Sequence, residues 1–347
     1  MTEIAIAGPI ESALTHFAGL GLASVLDGAG AEDIMLFWTD EIVPQLHLRT
    51  AQLSEQEIAK VVHEHAESLN SPDSWIHATI DHEKRKDSGL FSPRIKAPGS
   101  RESWTALTQT RQQHIDQLIA NGDLLSLEMI GGLGEPASWR FEKSEARPDH
   151  GASRWEMKTR NRGEEFVGNR FAPLCDVVAA RTSEAVLDGI VGRKCVDELD
   201  SKATSRTSTG FQRPGPTDSV LAWLALWGLT SFPVRPRLSS ISQTAGAFPQ
   251  DVLHTSLMVL PIVTRPTSLA RWRGLIAHAV IRRIGEDLVD GNQTIDITVA
   301  SPLRELGAVA LGTARVLLQG SASAPERVVL DLEVVPLAEK DYGSDSR

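Results

Sequence analysis

Between Glu11 and Leu26 apolar side chains return at helical spacing, with Leu14, Phe17, Ala18, Gly21, Leu22 and Val25 on one face, so the pattern predicts a helix. Ala18, Gly19, Gly21 and Ala23 are small, which predicts close packing against a neighbouring element. A short strand over Thr2 to Ala7 comes before it, and Gly28 and Gly30 supply a stop. Ile34 to Trp38 reads as a strand, and Ser54 followed by Glu57 makes a capping box for a helix through His65. Arg101 to Ile119 predicts a polar helix closed by Asn121-Gly122; Leu124 to Ile130 then reads as a strand, GGLGEP (131–136) as a turn, and Trp139 and Phe141 as an alternating strand. Pro173 opens a helix expected to reach Leu187, and Thr217 or Asp218 caps the apolar helix VLAWLALWGL. Phe232 to Pro236 and Ser239 to Ala247 look like strands, Leu253 to Val263 is a further apolar stretch, and a helix starts near Ser268. The remainder, to ERVVLDLEVVPL, reads as strand, helix and terminal strand.

This order predicts an α+β fold, mixed strands and helices in two subdomains, without a recognisable nucleotide-binding or nuclease core. Residues 196–216 are rich in Ser, Thr, Gly and Pro and lack apolar periodicity, which marks a linker or loop. The expected organisation is therefore an N-terminal α+β domain over 1–195, the linker, a C-terminal α+β domain over 217–340 and a tail over 341–347.

At 347 residues and 41% hydrophobic content the chain can fill a sizeable core. Cys175 and Cys195 stand without a second pair, the N-terminus lacks a basic start and apolar h-region, and no apolar run reaches membrane-spanning length. The expectation is a cytoplasmic protein without a membrane partner. The net charge of −10 argues by itself against nucleic acid, but its distribution changes that picture. Residues 1–80 hold 2 basic and 12 acidic side chains, whereas residues 81–283 hold 28 basic and 22 acidic. From Arg235 to Arg283 seven arginines face the single acid Asp251. Acidic ends around a basic middle point to a local polyanion-facing surface.

Two stretches concentrate that charge. His82 to Trp104 carries Lys84, Arg85, Lys86, Arg94, Lys96 and Arg101 among prolines and glycines, the composition of a basic loop able to follow a phosphate backbone. Arg154 to Pro173 carries Arg154, Lys158, Arg160, Arg162 and Arg170 with Asn161 and Asn169. Strand alternation there puts Arg154, Glu156 and Lys158 on a free face and Trp155 and Met157 in the core. The same arginines serve equally for locking onto Glu164, Glu165 or a partner's acids. Arg271 and Arg273, with Arg282 and Arg283, extend the basic set around the helix near Ser268.

Catalytic signatures are absent: there is no HExxH, GxSxG, paired-cysteine motif or Walker lysine. His63 and His65 are read as surface histidines and His16 as a packed one. An alternative is a metal-dependent nucleic-acid-processing enzyme using Asp149, His150, Glu156 and Lys158, and another is a protein-interaction module of a defence system.

On LTHFAGLGLASVL (Leu14 to Leu26), SGLFSPRIK (Ser88 to Lys96), RWEMKTRNRGEEFVGNRFAPL (Arg154 to Leu174) and DSVLAWLALWGLTSFPVRP (Asp218 to Pro236), the chain resembles the large-subunit-like proteins of subtype I-G (formerly I-U) CRISPR effector complexes. The resemblance implies a non-catalytic protein without a cofactor or metal. Its partners would be guide RNA, target double-stranded DNA, the other effector subunits and the helicase-nuclease. In that setting guide pairing reads the long sequence while the protein reads the adjacent duplex motif and backbone shape. Asn161, Asn169 or Gln212 would then be base-edge readers.

Overall fold

A computed structural model describes residues 1–82, 85–157, 166–199, 209–292, 295–296, 298–321 and 324–337. The first half runs β1 (Thr2–Ile6), α1 (Ala13–Gly28), β2 (Met35–Trp38), β3 (Leu46–Thr50), α2 (Glu55–Leu69), β4 (Thr79–His82), β5 (Arg85–Gly89), α3 (Arg101–Asn121), α4 (Leu124–Leu133), β6 (Phe141–Glu142), β7 (Glu145–Ala146), α5 (Ala172–Ala179) and α6 (Ser183–Ile190). The second runs α7 (Ser219–Trp227), β8 (Val234–Arg235), β9 (Gln243–Thr244), β10 (Ala247–Phe248), β11 (Leu257–Val263), β12 (Thr267–Ser268), α8 (Leu269–Ile276), α9 (Ala279–Val289), α10 (Ser301–Glu305), β13 (Ala308–Ser321), β14 (Ala324–Val329) and β15 (Glu333–Pro336).

The result is a mixed fold of helices around open antiparallel sheets. One sheet has the order β1-β3-β2-β12; Leu48 of β3 lies opposite Ile4 on one side and Leu36 on the other, and Thr267 of β12 pairs with Leu36. A second has the order β10-β11-β13-β14, with β15 added along β13, and β4-β5, β6-β7 and β8-β9 form two-stranded ribbons. β11 is buried from Met258 to Val263, which is why LMVLPIV is nearly continuous in apolar residues rather than alternating. Among the described residues no helix is long and apolar enough to cross a membrane.

The small residues of α1 meet α7. A methyl group at Gly21 would run into the Leu224 carbonyl oxygen, and one at Gly228 into the Phe17 carbonyl oxygen, so the two backbones touch. Beside that crossing, Phe17 is stacked between Phe211 and Phe232, with ring centroids 4.0 and 4.4 Å away. Trp155 meets Phe17 and Phe232 edge-on at 6.2 and 6.3 Å and donates from its indole nitrogen to the Ala245 carbonyl. The buried hydrophobic core is continuous across residues of both halves. Within the expected linker, Thr209 and Phe211 are fully buried.

Several expected elements differ, among them the C-terminal stretch, where a short helix is followed by the long strand β13 and then by β14 and β15. Leu124–Leu133 is a helix, not a strand: the Asp123 carboxylate accepts from the Ser126 amide at 3.0 Å and starts a turn that a short apolar run does not reveal. The helix from Pro173 breaks before Ser183, where the Thr182 hydroxyl caps a new helix by accepting from the Ala185 amide. Residues 154–157 form turns rather than a strand, and Arg154 and Glu156 are as buried as Trp155 and Met157. His65, expected at the surface, packs its ring against Trp223 and Trp227 at 5.6 and 4.8 Å.

Candidate nucleic-acid interface

The long helix α3 begins after Ser100, whose hydroxyl accepts from the Ser103 amide at 3.1 Å. Further along the helix Arg111 is buried; its guanidinium donates to Glu135 at 2.7 Å and to the Leu90 carbonyl at 2.8 Å, and lies over the Phe91 ring. These contacts hold the loop after Leu90 against α3. A cleft of ≈ 1050 Å³ opens where that loop, the first turns of α3 and the β6–β7 ribbon meet. Lys96, Arg101 and Arg147 bring positive charge to its wall, and Trp104 and Phe141 bring aromatic faces. Lys96 and Arg101 are exposed, Trp104 is half-buried and Phe141 is 55% exposed. The ribbon turns through Lys143 and Ser144, both at positive φ, which is the hairpin geometry that matches strand twist. Arg147 is held by Glu145 at 3.1 Å and Glu142 at 3.5 Å, leaving Lys96 and Arg101 as the exposed cations of the wall.

Two residues before Lys96, and seven beyond Arg147, the same segments place a charged side chain in the interior. Arg94 is buried and donates from Nε to Glu156 at 2.8 Å and from Nη2 to the Ser153 carbonyl at 3.1 Å. Arg154 is fully buried; Nη2 donates to the carbonyls of Ala152 and Asp149 at 2.6 and 2.9 Å, and Nη1 to that of Leu253 at 3.2 Å. The charged face expected of Arg154 and Glu156 is therefore interior. Trp155 is anchored in the aromatic stack, and the tight turn around it carries both neighbours inward.

The other expected contacts are dispersed. Lys86 is exposed on β5, and of Arg85 only the backbone is described, paired with His82. Lys84, Lys158, Arg160, Asn161 and Arg162 lie outside the described residues. Asn169 is exposed and Arg170 half-buried on a π-helical turn over Val167–Phe171. Arg271 is exposed and donates to the Leu306 carbonyl at 2.8 Å, while Arg273 forms a two-pronged pair with Glu128 at 2.6 and 3.1 Å. Arg271 and Arg273 sit on α8, away from the cleft lining. Of the expected set, the cleft gathers Lys96 and Arg101. Nothing in the chain's pattern marked Phe141 or Arg147 as their neighbours, because a two-strand ribbon brings them there.

No family model and no curated protein matches the chain. The site has to be read from its own chemistry.

Of the residues named for metal-dependent chemistry, Lys158 lies outside the described residues. Glu156 is committed to Arg94, and the His150 ring accepts at Nδ1 from Arg140 at 3.3 Å. Burial pushes His150 below the usual imidazole range, with Asp149 and Glu142 opposing. Among the described residues no group of three or more His, Cys, Asp or Glu side chains is placed to hold a metal ion.

Proposed function

We propose that the protein is a non-catalytic nucleic-acid-binding subunit of an RNA-guided CRISPR interference complex, contacting guide RNA and target DNA through the cleft at the start of α3. The observation that carries this reading is the cleft itself, where exposed Lys96 and Arg101 stand beside the rings of Trp104 and Phe141. Cations alongside aromatic faces suit a strand whose phosphates are neutralised while its bases stack. The resemblance over Leu14 to Leu26, Ser88 to Lys96, Arg154 to Leu174 and Asp218 to Pro236 supplies the setting, with the other effector subunits and the helicase-nuclease as partners. The acidic first 80 residues suit a face turned away from nucleic acid.

The test is co-purification of the tagged protein with its operon partners and a guide RNA, followed by target-duplex binding over a salt series. Stable incorporation, with binding weakened by the Lys96→Glu/Arg101→Glu double substitution, supports the proposal. Absence from an otherwise intact guide-RNA complex overturns it.

A further inference from the structure

Arg154 and Arg327 rank with the tryptophans among the largest fully buried side chains of the molecule. They come from segments far apart in sequence, a turn after the β6–β7 ribbon and strand β14, and both donate from Nη1 to one acceptor, the Leu253 carbonyl, at 3.2 and 3.4 Å. Two like charges therefore converge on a single neutral oxygen. Among the described residues the Nε–H of each guanidinium is buried without a hydrogen-bond partner, and so is the hydroxyl of Thr255, two residues beyond Leu253. Arg94 adds to the positive side of this cluster, burial and the three arginines hold His254 below the usual imidazole range, and among the described residues the negative groups acting on the cluster are Glu156 and Asp149. Glu156 is held by Arg94, and Arg154 meets Asp149 through its backbone carbonyl.

Burial depresses both guanidiniums, Arg154 to about 9 and Arg327 well below the ordinary range, with Arg94 pushing each in the same direction. Guanidinium stays protonated at neutral pH, so the depression expresses a need for negative charge rather than a lost proton. Buried cations are found paired, and unpartnered buried donors are rare. Among the described residues, three arginines against two carboxylates, with two Nε–H groups and a hydroxyl still to be satisfied, leave a place for one more anion.

We propose that the cluster of Arg154, Arg327, Arg94 and Thr255 binds one small tetrahedral oxyanion, inorganic phosphate or a terminal phosphate monoester, whose oxygens accept from the Arg154 and Arg327 Nε–H groups and the Thr255 hydroxyl. A multidentate oxyanion matches the planar donor edges of guanidinium and supplies negative charge to the cluster. This site is separate from the cleft and stands whether or not the cleft binds nucleic acid.

Equilibrium dialysis of the full chain against radiolabelled inorganic phosphate, with thermal unfolding in phosphate and in chloride at matched ionic strength, tests it. The expected result is saturable uptake of one phosphate per chain and a melting temperature several degrees higher in phosphate. Thr255→Val, which keeps the side-chain shape, should fold as the wild type does in chloride and bind phosphate about tenfold more weakly. Arg327→Lys, which keeps the charge and loses the fork, should weaken it further. Displacement of the label by a 5′-phosphorylated oligonucleotide, but not by its 5′-hydroxyl counterpart, assigns the site to a strand terminus; displacement by neither assigns it to the free ion. Melting at the same temperature in phosphate and chloride without saturable uptake overturns the proposal. So does uptake at wild-type affinity in both variants. Destabilisation of a Glu164→Gln/Glu165→Gln variant in a chain that takes up no phosphate would give the counter-charge to the chain itself, and equally overturns it.

Discussion

His16 lies on α1 with its Nε2 2.8 Å from the Ile10 carbonyl and its ring 4.7 Å from that of Trp38. Burial holds its pKa at about 4 against an ordinary 6.5, and burial does the same to His65. Below pH 6.5 the unfolded chain takes up protons that these folded imidazoles refuse, so protonation favours unfolding. Their contribution is complete above about pH 6.5 and is lost as pH falls toward 4, on the order of 3 kcal/mol for each. Melting temperatures from pH 8 to 4.5 should fall less steeply for His16→Gln than for the wild type; parallel curves would refute the assignment. The buried Arg94–Glu156 pair gives a second residue-scale prediction. Glu156→Gln leaves guanidiniums facing a neutral amide, and urea unfolding should show a loss of about 3–5 kcal/mol. A packed histidine was legible at His16 because its neighbours are apolar. The fate of Arg154 was not legible, since alternation over four residues is equally a strand or a turn whose every side chain is buried.

At the scale of elements, the contact between α1 and α7 rests on glycines at the crossing. Gly21→Ala should therefore cost more than the roughly 0.5–1 kcal/mol that alanine gains over glycine in a free helix, and should lower the melting temperature rather than raise it. An increase would mean that the helices can separate without loss. Most helices were readable because their ends are chemically marked. Ser54 accepts from the Glu57 amide while the Glu57 carboxylate accepts from the Ser54 amide, and Gly122 closes α3 at φ 70°. Where the mark is weaker the expectation failed: LLSLEMI carries no helical signature beyond Asp123, and the break before Ser183 depends on Thr182 competing with a continuing helix. The short strands β8, β9 and β10 have two residues each, too few for any periodicity to show.

At the scale of the molecule, the uneven charge was visible in composition, but which cations share a surface was not. Arg273 is paired with Glu128 and Arg94 with Glu156, whereas Lys96 and Arg101 both line one cleft. Lys96→Glu/Arg101→Glu should weaken binding of a single-stranded oligonucleotide and flatten its logarithmic salt dependence by about one for each lost phosphate contact. Phe141→Ala should weaken binding by about 1–3 kcal/mol with an unchanged salt slope, because stacking releases no counterions. Equal salt slopes in all three proteins would place the phosphates elsewhere. The pairing of β12 with β2 reaches past the molecule's architecture to its synthesis. The edge of the first sheet, and the partner helix of α1, leave the ribosome only after some two hundred further residues have been translated. Until then the nascent chain carries an apolar helix and an open strand edge, so the first sheet and the α1–α7 crossing close late, and both features are exposed to mispairing in the meantime.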